Sequence, residues 1–549
     1  MDHQQLAQWL FPDIDLTPAD LEDKYPERDL AEGAFVTRLG PSPTGFMHIG
    51  NLYTGLINER LAHQSGGRFF LRIEDTDHKR YVEGAEDVIT DALAYFGIHY
   101  DEGVFKTEEK GAYGPYHQSD RAGIYHVMAK HLVAQGYAYP SFATEEDLAT
   151  LRTQQEAEKA DTGYYGKWAK DRTLSLEEIK AKLDAGSPWT LRLRSRALPG
   201  DGYRVSDGIR GHVTVHPNKQ DVVLLKTNGI PTYHFAHVVD DHFMRTTHVI
   251  RGEEWLATLP IHLELFEILG WQAPLYCHTA HLMKIDDGTR RKLSKRKDPE
   301  MALSYYMEKG YHPTSVREYL MILINSDYEE WRLAHPEAPL EDFQVTLDKM
   351  ASSGALYDMV KLDDVAKESL LHISEEDLAD FLIHWAQDYA PEAAPLLQAH
   401  REELVRLLAI GRDGKKPRKD LVYAEQMLAH VSYFFDEWFQ VKDDLPDNIP
   451  PAEARTILEA YLETYDPADD NSAWFGKVRD IATDLGYAAR PKDYKKDPDS
   501  YKGHVGDVSA VIRLAVTGQM ASPDLWSVQQ IMGPDKVKSR IQAYLTQVA

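Results

Sequence analysis

Between Ala34 and Ile73 the chain has few ways to fold. Ala34–Leu39 is apolar and extended, and Pro41-Ser42-Pro43-Thr44-Gly45 can continue neither a strand nor a helix, so a turn follows. Leu52, Leu56, Ile57 and Leu61 then recur at helical spacing, Gly66-Gly67 stops that helix, and Arg68–Ile73 is a second strand. A strand–helix–strand unit is parallel, and parallel units build doubly wound sheets whose ligands sit beyond the carboxyl ends of the strands. Strands of the same parallel type are expected again at Val222–Leu225, Thr247–Ile250 and Leu275–Thr279, with a helix around Ile261–Leu269 between the last two.

Around this unit the chain changes character. Residues 1–33 read as an extension, with one short helix near Gln4–Leu10 and then an acidic linker. Residues 118–220 carry long polar helices, such as Glu145–Lys159 and Leu176–Asp184, and a β segment at Trp189–Arg196, which reads as an insertion within the sheet domain. Beyond residue 300 the pattern is almost wholly helical, with Arg401–Leu408, Tyr423–Phe435, Pro451–Tyr465 and Val508–Val516 as candidates. A chain of 549 residues exceeds one compact core, so two to four domains are expected.

Composition excludes several classes. No apolar run spans a bilayer, and the start lacks the basic and apolar regions of a secretory signal. Cys277 is the only cysteine, which removes internal disulfides and thiolate zinc clusters. A cytoplasmic protein is expected. The net charge of −27 opposes nucleic acid as a whole-chain partner, but basic segments at Arg290–Lys297, Arg412–Lys419 and Lys492–Lys502 can act locally.

Five stretches carry chemistry. In the first, Arg38 to Asn51, a helix start offers unpaired N–H groups to phosphate; Gly50 admits a close nucleotide, and His48 can donate to a phosphate oxygen. The second, Arg72-Ile73-Glu74-Asp75-Thr76-Asp77, places three carboxylates at a strand end, which suits a metal, an ammonium group or a helix cap. The third, Pro231 to His242, holds His234, His237 and His242 without a matching cysteine, so core-facing or substrate-facing roles outweigh zinc. The fourth is Ile250-Arg251-Gly252-Glu253-Glu254-Trp255, where Arg251 can grip a carboxylate through two hydrogen bonds and Glu254 can accept from a ribose hydroxyl. The fifth, Lys292-Leu293-Ser294-Lys295-Arg296, follows an Asp286-Asp287-Gly288 turn and offers mobile lysines to charge on transferring phosphate.

Taken together, Arg-Leu-Gly-Pro-Ser-Pro-Thr-Gly, His-Ile-Gly-Asn, Arg-Ile-Glu-Asp-Thr-Asp, Pro-Thr-Tyr-His, Ile-Arg-Gly-Glu-Glu-Trp and Lys-Leu-Ser-Lys-Arg resemble the class I aminoacyl-tRNA synthetases, in their glutamyl branch, from about Phe35 to Lys297. The resemblance implies an α/β Rossmann-type catalytic domain with an α+β insertion, followed by an all-α anticodon-binding region. It divides the chain into an extension (1–33), two catalytic halves (34–117 and 221–297), an acceptor-end insertion (118–220), a stem-contact region (298–375) and a helical anticodon domain (376–549). It implies ATP contacts from His48, Gly50, Glu254, the backbone near Met283, Lys292 and Lys295, with His48, Lys292 and Lys295 catalytic. Glutamate would lie among Arg38, Ser42, Glu74, Tyr233, His237 and Arg251. The implied substrates are Mg²⁺-ATP, L-glutamate and tRNA(Glu), on a monomer; the alternative is a non-discriminating enzyme that also charges tRNA(Gln).

Asn51 ends the first signature where the wider class often has His, which the glutamyl branch tolerates. The sequence departs from the branch in three places. His237 stands where many members have Asn. Ser141-Phe142-Ala143 replaces a cysteine pair, so zinc is not expected, and Lys361-Leu362-Asp363-Asp364-Val365 lacks a Trp-x-Asn signature. A queuosine-type paralogue would lack the helical C-terminal part; a small-molecule adenylyltransferase would lack both that part and the insertion; a non-catalytic RNA-binding relative would not need His48, Lys292 and Lys295.

Overall fold

The computed structural model describes residues 2–548 except 78, 198–201 and 414–415. Two units are present: residues 1–305 with 317–358, and residues 306–316 with 359–549.

The first unit is built on a parallel sheet. Strand Val36–Leu39 pairs in parallel with Arg68–Leu71, which pairs in parallel with Glu102–Val104. The helix Ile49–Gln64 makes the first crossover and buries Ile49, Leu52, Leu56, Ile57 and Leu61. On the other side of the first strand, His248–Gly252 pairs in parallel with Leu275–Thr279. The two halves meet where Thr247 N–H donates to Val36 O at 3.0 Å. Strand order therefore reverses between Val36–Leu39 and His248–Gly252, and a crevice opens at their carboxyl ends.

One expected strand belongs elsewhere. Val223–Leu225 pairs antiparallel with Thr190–Leu193, which pairs antiparallel with Ala138–Ser141. It completes the small sheet of the inserted segment instead of returning to the parallel sheet. A short apolar run has no signature of its strand partner, and here the turn at Gly229 folds it back before the helix Tyr233–Phe243.

The N-terminal residues are also not a linker. A second helix, Pro18–Lys24, begins with a reciprocal Thr17–Asp20 capping box. Leu6, Leu10, Phe11, Leu21 and Tyr25 are buried, and Arg28 forms a two-pronged ion pair with Glu102 at 2.7 and 3.1 Å while stacking on Tyr113. The acidic composition hid a segment that buries most of its large apolar residues, Leu16 excepted.

The second unit is helical. Its core gathers Leu382, Leu404, Ile457, Val508 and Ile541 from separate helices. The helix Val505–Thr517 is capped by His504 with Asp507 and ends at Gly518, whose φ of 70° closes the turn. No helix among the described residues is long and apolar enough to cross a membrane.

Between the sheet and the helix Tyr233–Phe243 lies a buried charge set. Asp240 accepts from Arg121 Nε (2.6 Å), Tyr125 OH (2.8 Å) and Gln118 Nε2 (2.9 Å), with Arg72 Nε at 3.8 Å. Removing one member of a buried pair strands the other in low dielectric. Asp240→Ala should therefore cost about 3–5 kcal/mol. Urea unfolding followed by tryptophan fluorescence measures this, and an unchanged midpoint contradicts it.

Candidate active site

A cavity of about 510 Å³ occupies the crevice at the strand ends. Arg38, Ser42, His48, Gly50, Glu74, Tyr233, Arg251, Glu254, Lys292 and Lys295 all line it, although they come from stretches up to 257 residues apart in the sequence. Five cationic side chains, the four above with Arg80, and two carboxylates line this space.

The phosphate-like end is built by the helix start. Asn51 N–H donates to His48 Nδ1 at 3.2 Å, and His48 N–H donates to Asn51 Oδ1 at 3.1 Å. This reciprocal cap explains Asn51, whose short amide reaches back to the cap residue. Because Nδ1 accepts, the neutral ring carries its proton on Nε2. A Cβ on Gly50 would stand 3.0 Å from His48 Nδ1, so glycine lets the imidazole fold over the helix end. Burial, then Lys295 and Lys292, push the His48 pKa down to about 4.

The lysines arrive on a hairpin, not a loose loop. Leu282–Asp286 pairs antiparallel with Thr289–Lys292 across Asp287-Gly288, both with positive φ as a tight two-residue turn requires. Arg291 is spent internally, on Asp286 (2.6 Å) and Asp298 (2.6 and 2.8 Å). Asp298 also accepts from Ser294 N–H at 2.8 Å, which fixes the turn between the two lysines. Downstream, Ala302 bridges to His48, and Leu303 N–H donates to Met47 O at 3.1 Å, tying the lysine segment to the helix start. Lys295 Nζ lies 4.4 Å from the Phe46 ring centre, and Lys292 Nζ lies 3.2 Å from His281 Nε2.

The opposite end holds the arginines. Arg38 Nε contacts both Asp241 oxygens at 3.3 Å, and Arg72 NH1 donates to Asp241 Oδ1 at 2.8 Å. Arg72 NH2 donates to Glu74 Oε1 at 3.0 Å, so one chain of charges orients Arg38 and Glu74 together. Burial works to raise Asp241, but Arg38 and Arg72 hold its carboxyl well below the usual range. For Glu74 burial outweighs Arg72 and Arg38, and its carboxyl is pushed up. A Cβ on Gly40 would meet Glu74 Oε1 at 2.4 Å, so that carboxylate needs glycine beside it. Tyr233 packs against Trp255 with ring centres 4.4 Å apart and the planes tilted by 34°.

Two sequence candidates lie off the cavity wall. His237 is fully buried behind it, with Nε2 3.0 Å from Tyr276 OH and Nδ1 3.0 Å from Asp241 without a hydrogen-bonding geometry. Leu282, not Met283, faces the cavity, and Met283 O accepts from Tyr357 N–H at 2.7 Å. The other expectations also resolve by partner. The three carboxylates diverge, Glu74 to Arg72, Asp75 to Ser119 and Asp77 to Arg80, and Asp75 accepts the Ser119 backbone N–H at the start of the short helix Gln118–Arg121. His234 contacts His262, and His242 contacts Glu22 while stacking on Trp271. In the second unit the basic run near 412 is largely consumed, Arg412 on the Leu370 and Ile373 carbonyls and Lys419 on Glu368; Gly414 and Lys415 lie outside the described residues.

Sequence reasoning missed Phe46, Arg80, Trp255 and His281 as lining residues and Asp241 as the pivot. His281 sits two residues past the strand Leu275–Thr279, where a doubly wound sheet presents ligand-facing groups.

A profile described as the catalytic domain of class I tRNA synthetases (E and Q) matches residues 34–363, and an anticodon binding domain profile matches residues 499–545. The chain is 56% identical to the glutamate–tRNA ligase of Acetivibrio thermocellus, over 99% of this chain and 100% of that one. It is 48% identical to the glutamate–tRNA ligase of Clostridium perfringens strain SM101, over 99% and 100%. A crystal structure of a glutamate tRNA ligase from Elizabethkingia meningosepticum in complex with its amino acid superposes with a TM-score of 0.71 at 25% identity, covering 94% of this chain and 100% of that one.

The buried His48 ring resists protonation in the folded chain. Folding expels a proton that the unfolded chain binds below pH 6.5, so this site costs stability as pH falls from 6.5 towards 4. Nitrogen-15 spectra of histidine-labelled protein should show His48 neutral, with the proton on Nε2, at least down to about pH 5.5. A titration midpoint near 6.5 contradicts this.

Proposed function

The chain belongs to the class I tRNA synthetases as a glutamate–tRNA ligase, and from that premise we propose how its own residues attach L-glutamate to the 3′ end of tRNA(Glu). The observation that carries the reading is the pair Arg38 and Arg251 on one cavity wall with Glu74, while His48, Lys292 and Lys295 line the same cavity.

Arg38 and Arg251 receive the side-chain carboxylate of glutamate. Guanidinium groups only donate, so they suit a carboxylate and penalise the NH₂ of glutamine. Glu74 receives the α-ammonium group, whose positive charge compensates the buried carboxylate. Ser42 and Tyr233 close the pocket, with His237 acting from behind through Asp241 and Tyr276. At the other end, His48 Nε2–H and the Gly50 backbone take ATP phosphates. The nucleoside lies against His281, Leu282 and Glu254. Mg²⁺ fits as part of the ATP substrate, held by phosphate oxygens and water; Glu74 is engaged by Arg72, and Glu254 sits beside His281 Nδ1 at 3.4 Å.

The α-carboxylate attacks the α-phosphorus in line, forming glutamyl adenylate and releasing pyrophosphate. Lys292 and Lys295 neutralise charge developing on the phosphoryl oxygens. A terminal ribose hydroxyl of the tRNA then attacks the acyl carbon, AMP leaves, and its phosphate can accept the hydroxyl proton. Holding the reactants in line supplies most of the rate, so no separate base is required. Residues 118–220 would hold the acceptor end, 298–375 the stem and 376–549 the anticodon. The anticodon profile over 499–545 supports this over a queuosine-type paralogue. The enzyme acts as a monomer.

Glutamate-dependent ATP–pyrophosphate exchange, with and without tRNA, and charging of tRNA(Glu) and tRNA(Gln) test the reading. Charging of tRNA(Glu) is expected, the tRNA(Gln) arm reports whether recognition is relaxed, and failure to charge either contradicts the proposal. Lys295→Ala should lower the activation rate about 100- to 1000-fold, on the scale of a lost transition-state donor. Arg251→Gln should raise KM for glutamate about 10- to 100-fold, the worth of a hydrogen bond to a charged group.

A further inference from the structure

Behind Arg251 lies a buried polar relay that touches no reacting atom. Arg251 Nε donates to His278 Nε2 at 3.0 Å, NH1 lies 3.1 Å from His262 Nδ1, and the guanidinium packs 4.7 Å from the Tyr276 ring centre. A guanidinium has no acceptor, so His278 Nε2 must present a lone pair. The ring proton is then on Nδ1, which donates to Asp207 Oδ2 at 2.6 Å. Both His278 and Asp207 are buried.

Asp207 is itself held. Its Oδ1 accepts from Ile209 N–H (3.0 Å) and Arg210 N–H (2.9 Å), closing the turn of the hairpin Tyr203–Asp207 and Gly211–Val215. That hairpin belongs to the inserted segment, yet its turn docks on the strand Leu275–Thr279. Gly208 N–H donates to Tyr276 O at 2.8 Å, and Arg210 Nε donates to His278 O at 3.2 Å. A Cβ on Gly208 would meet Cys277 Sγ at 2.5 Å, so the docking is close-packed. Arg210 also pairs with Glu253, two residues from Arg251. The histidine is kept neutral: burial, with Arg251, holds its pKa below the ordinary value against the pull of Asp207.

We propose that Asp207 is a positioning residue for the amino-acid substrate: by fixing the Nδ1–H tautomer of His278 it aims Arg251, so an element of the insertion sets the geometry of the glutamate pocket. This rests on Arg251 being the anchor for the glutamate side chain. The carboxylate does what a neutral acceptor cannot, because it offers acceptors both to the two turn N–H groups and to His278 Nδ1–H.

Asp207→Asn, of the same shape, separates these demands. If its NH₂ faces His278, the ring proton moves to Nε2 and opposes Arg251 Nε–H. If the amide is reversed, its NH₂ faces the two turn N–H groups. In either orientation one contact becomes donor against donor. Steady-state activation in the presence of tRNA(Glu) should show KM for glutamate raised about 10- to 100-fold, with kcat and KM for ATP changed less than about threefold. In an Arg251→Gln background the same substitution should add less than about twofold, because both act on one contact. Nitrogen-15 shifts of the unaltered protein should show His278 with its proton on Nδ1, a measurement that survives even if the variant does not fold.

The outcomes are separable. If Arg251→Gln leaves KM for glutamate unchanged, the anchor reading fails. If Arg251→Gln raises it and Asp207→Asn does not, or lowers kcat and worsens KM for ATP alike, the positioning role is overturned. An Nε2–H tautomer for His278 in the unaltered protein also overturns it.

Discussion

The site depends on one buried carboxylate, Asp241. It stands on the helix Tyr233–Phe243 and faces Arg38 and Arg72, which leave the carboxyl ends of neighbouring parallel strands. Arg72 then holds Glu74, so three elements that contribute to the pocket are oriented by one charge. Such a set contributes little net stability, since desolvation offsets most of the attraction. What it supplies is direction. Arg38 cannot turn away without costing Asp241 one of its two guanidinium partners.

Electrostatics reconcile the composition with a phosphate-rich chemistry. The whole chain carries −27, while the cavity is lined by five cations and two carboxylates. Low-dielectric walls focus that local field, which in the proposed reading acts on ATP and on a substrate carboxylate. Some of the positive charge around the lysines is not available to ligands: Asp298 takes Arg291 and braces the Ser294 turn, and on the neighbouring strand Lys284 pairs with Glu300. The acidic residues just past the lysines therefore fix which cations remain to face the cavity.

The catalytic fold was largely legible in the sequence because its signals are local. Helical spacing from Leu52 to Leu61, the proline-rich turn and the strand at Leu275–Thr279 each follow from a few adjacent residues. The five motif stretches were also legible, and each contributes residues that line the cavity. Long-range partners were not. Nothing near Val222–Leu225 reveals that its partner is Thr190–Leu193, and nothing near Asp207 reveals His278. The same limit explains His237, which follows Tyr233 at helical spacing yet turns into the core, and the extension before residue 33, whose buried Tyr25 and Arg28 pack on residues more than 70 positions away.

The central claim is that Arg38 and Arg251 together read the glutamate side chain at one end of a cavity whose other end, at His48 and the lysines, takes the phosphates. A crystal structure of the full chain with a sulfamoyl analogue of glutamyl adenylate tests it most directly. The side-chain carboxylate is predicted to bridge the two guanidinium groups, with the ammonium group on Glu74 and the adenosine against His281 and Leu282. A ligand whose carboxylate touches neither arginine, or whose adenosine lies at the Arg38 end, would contradict the account.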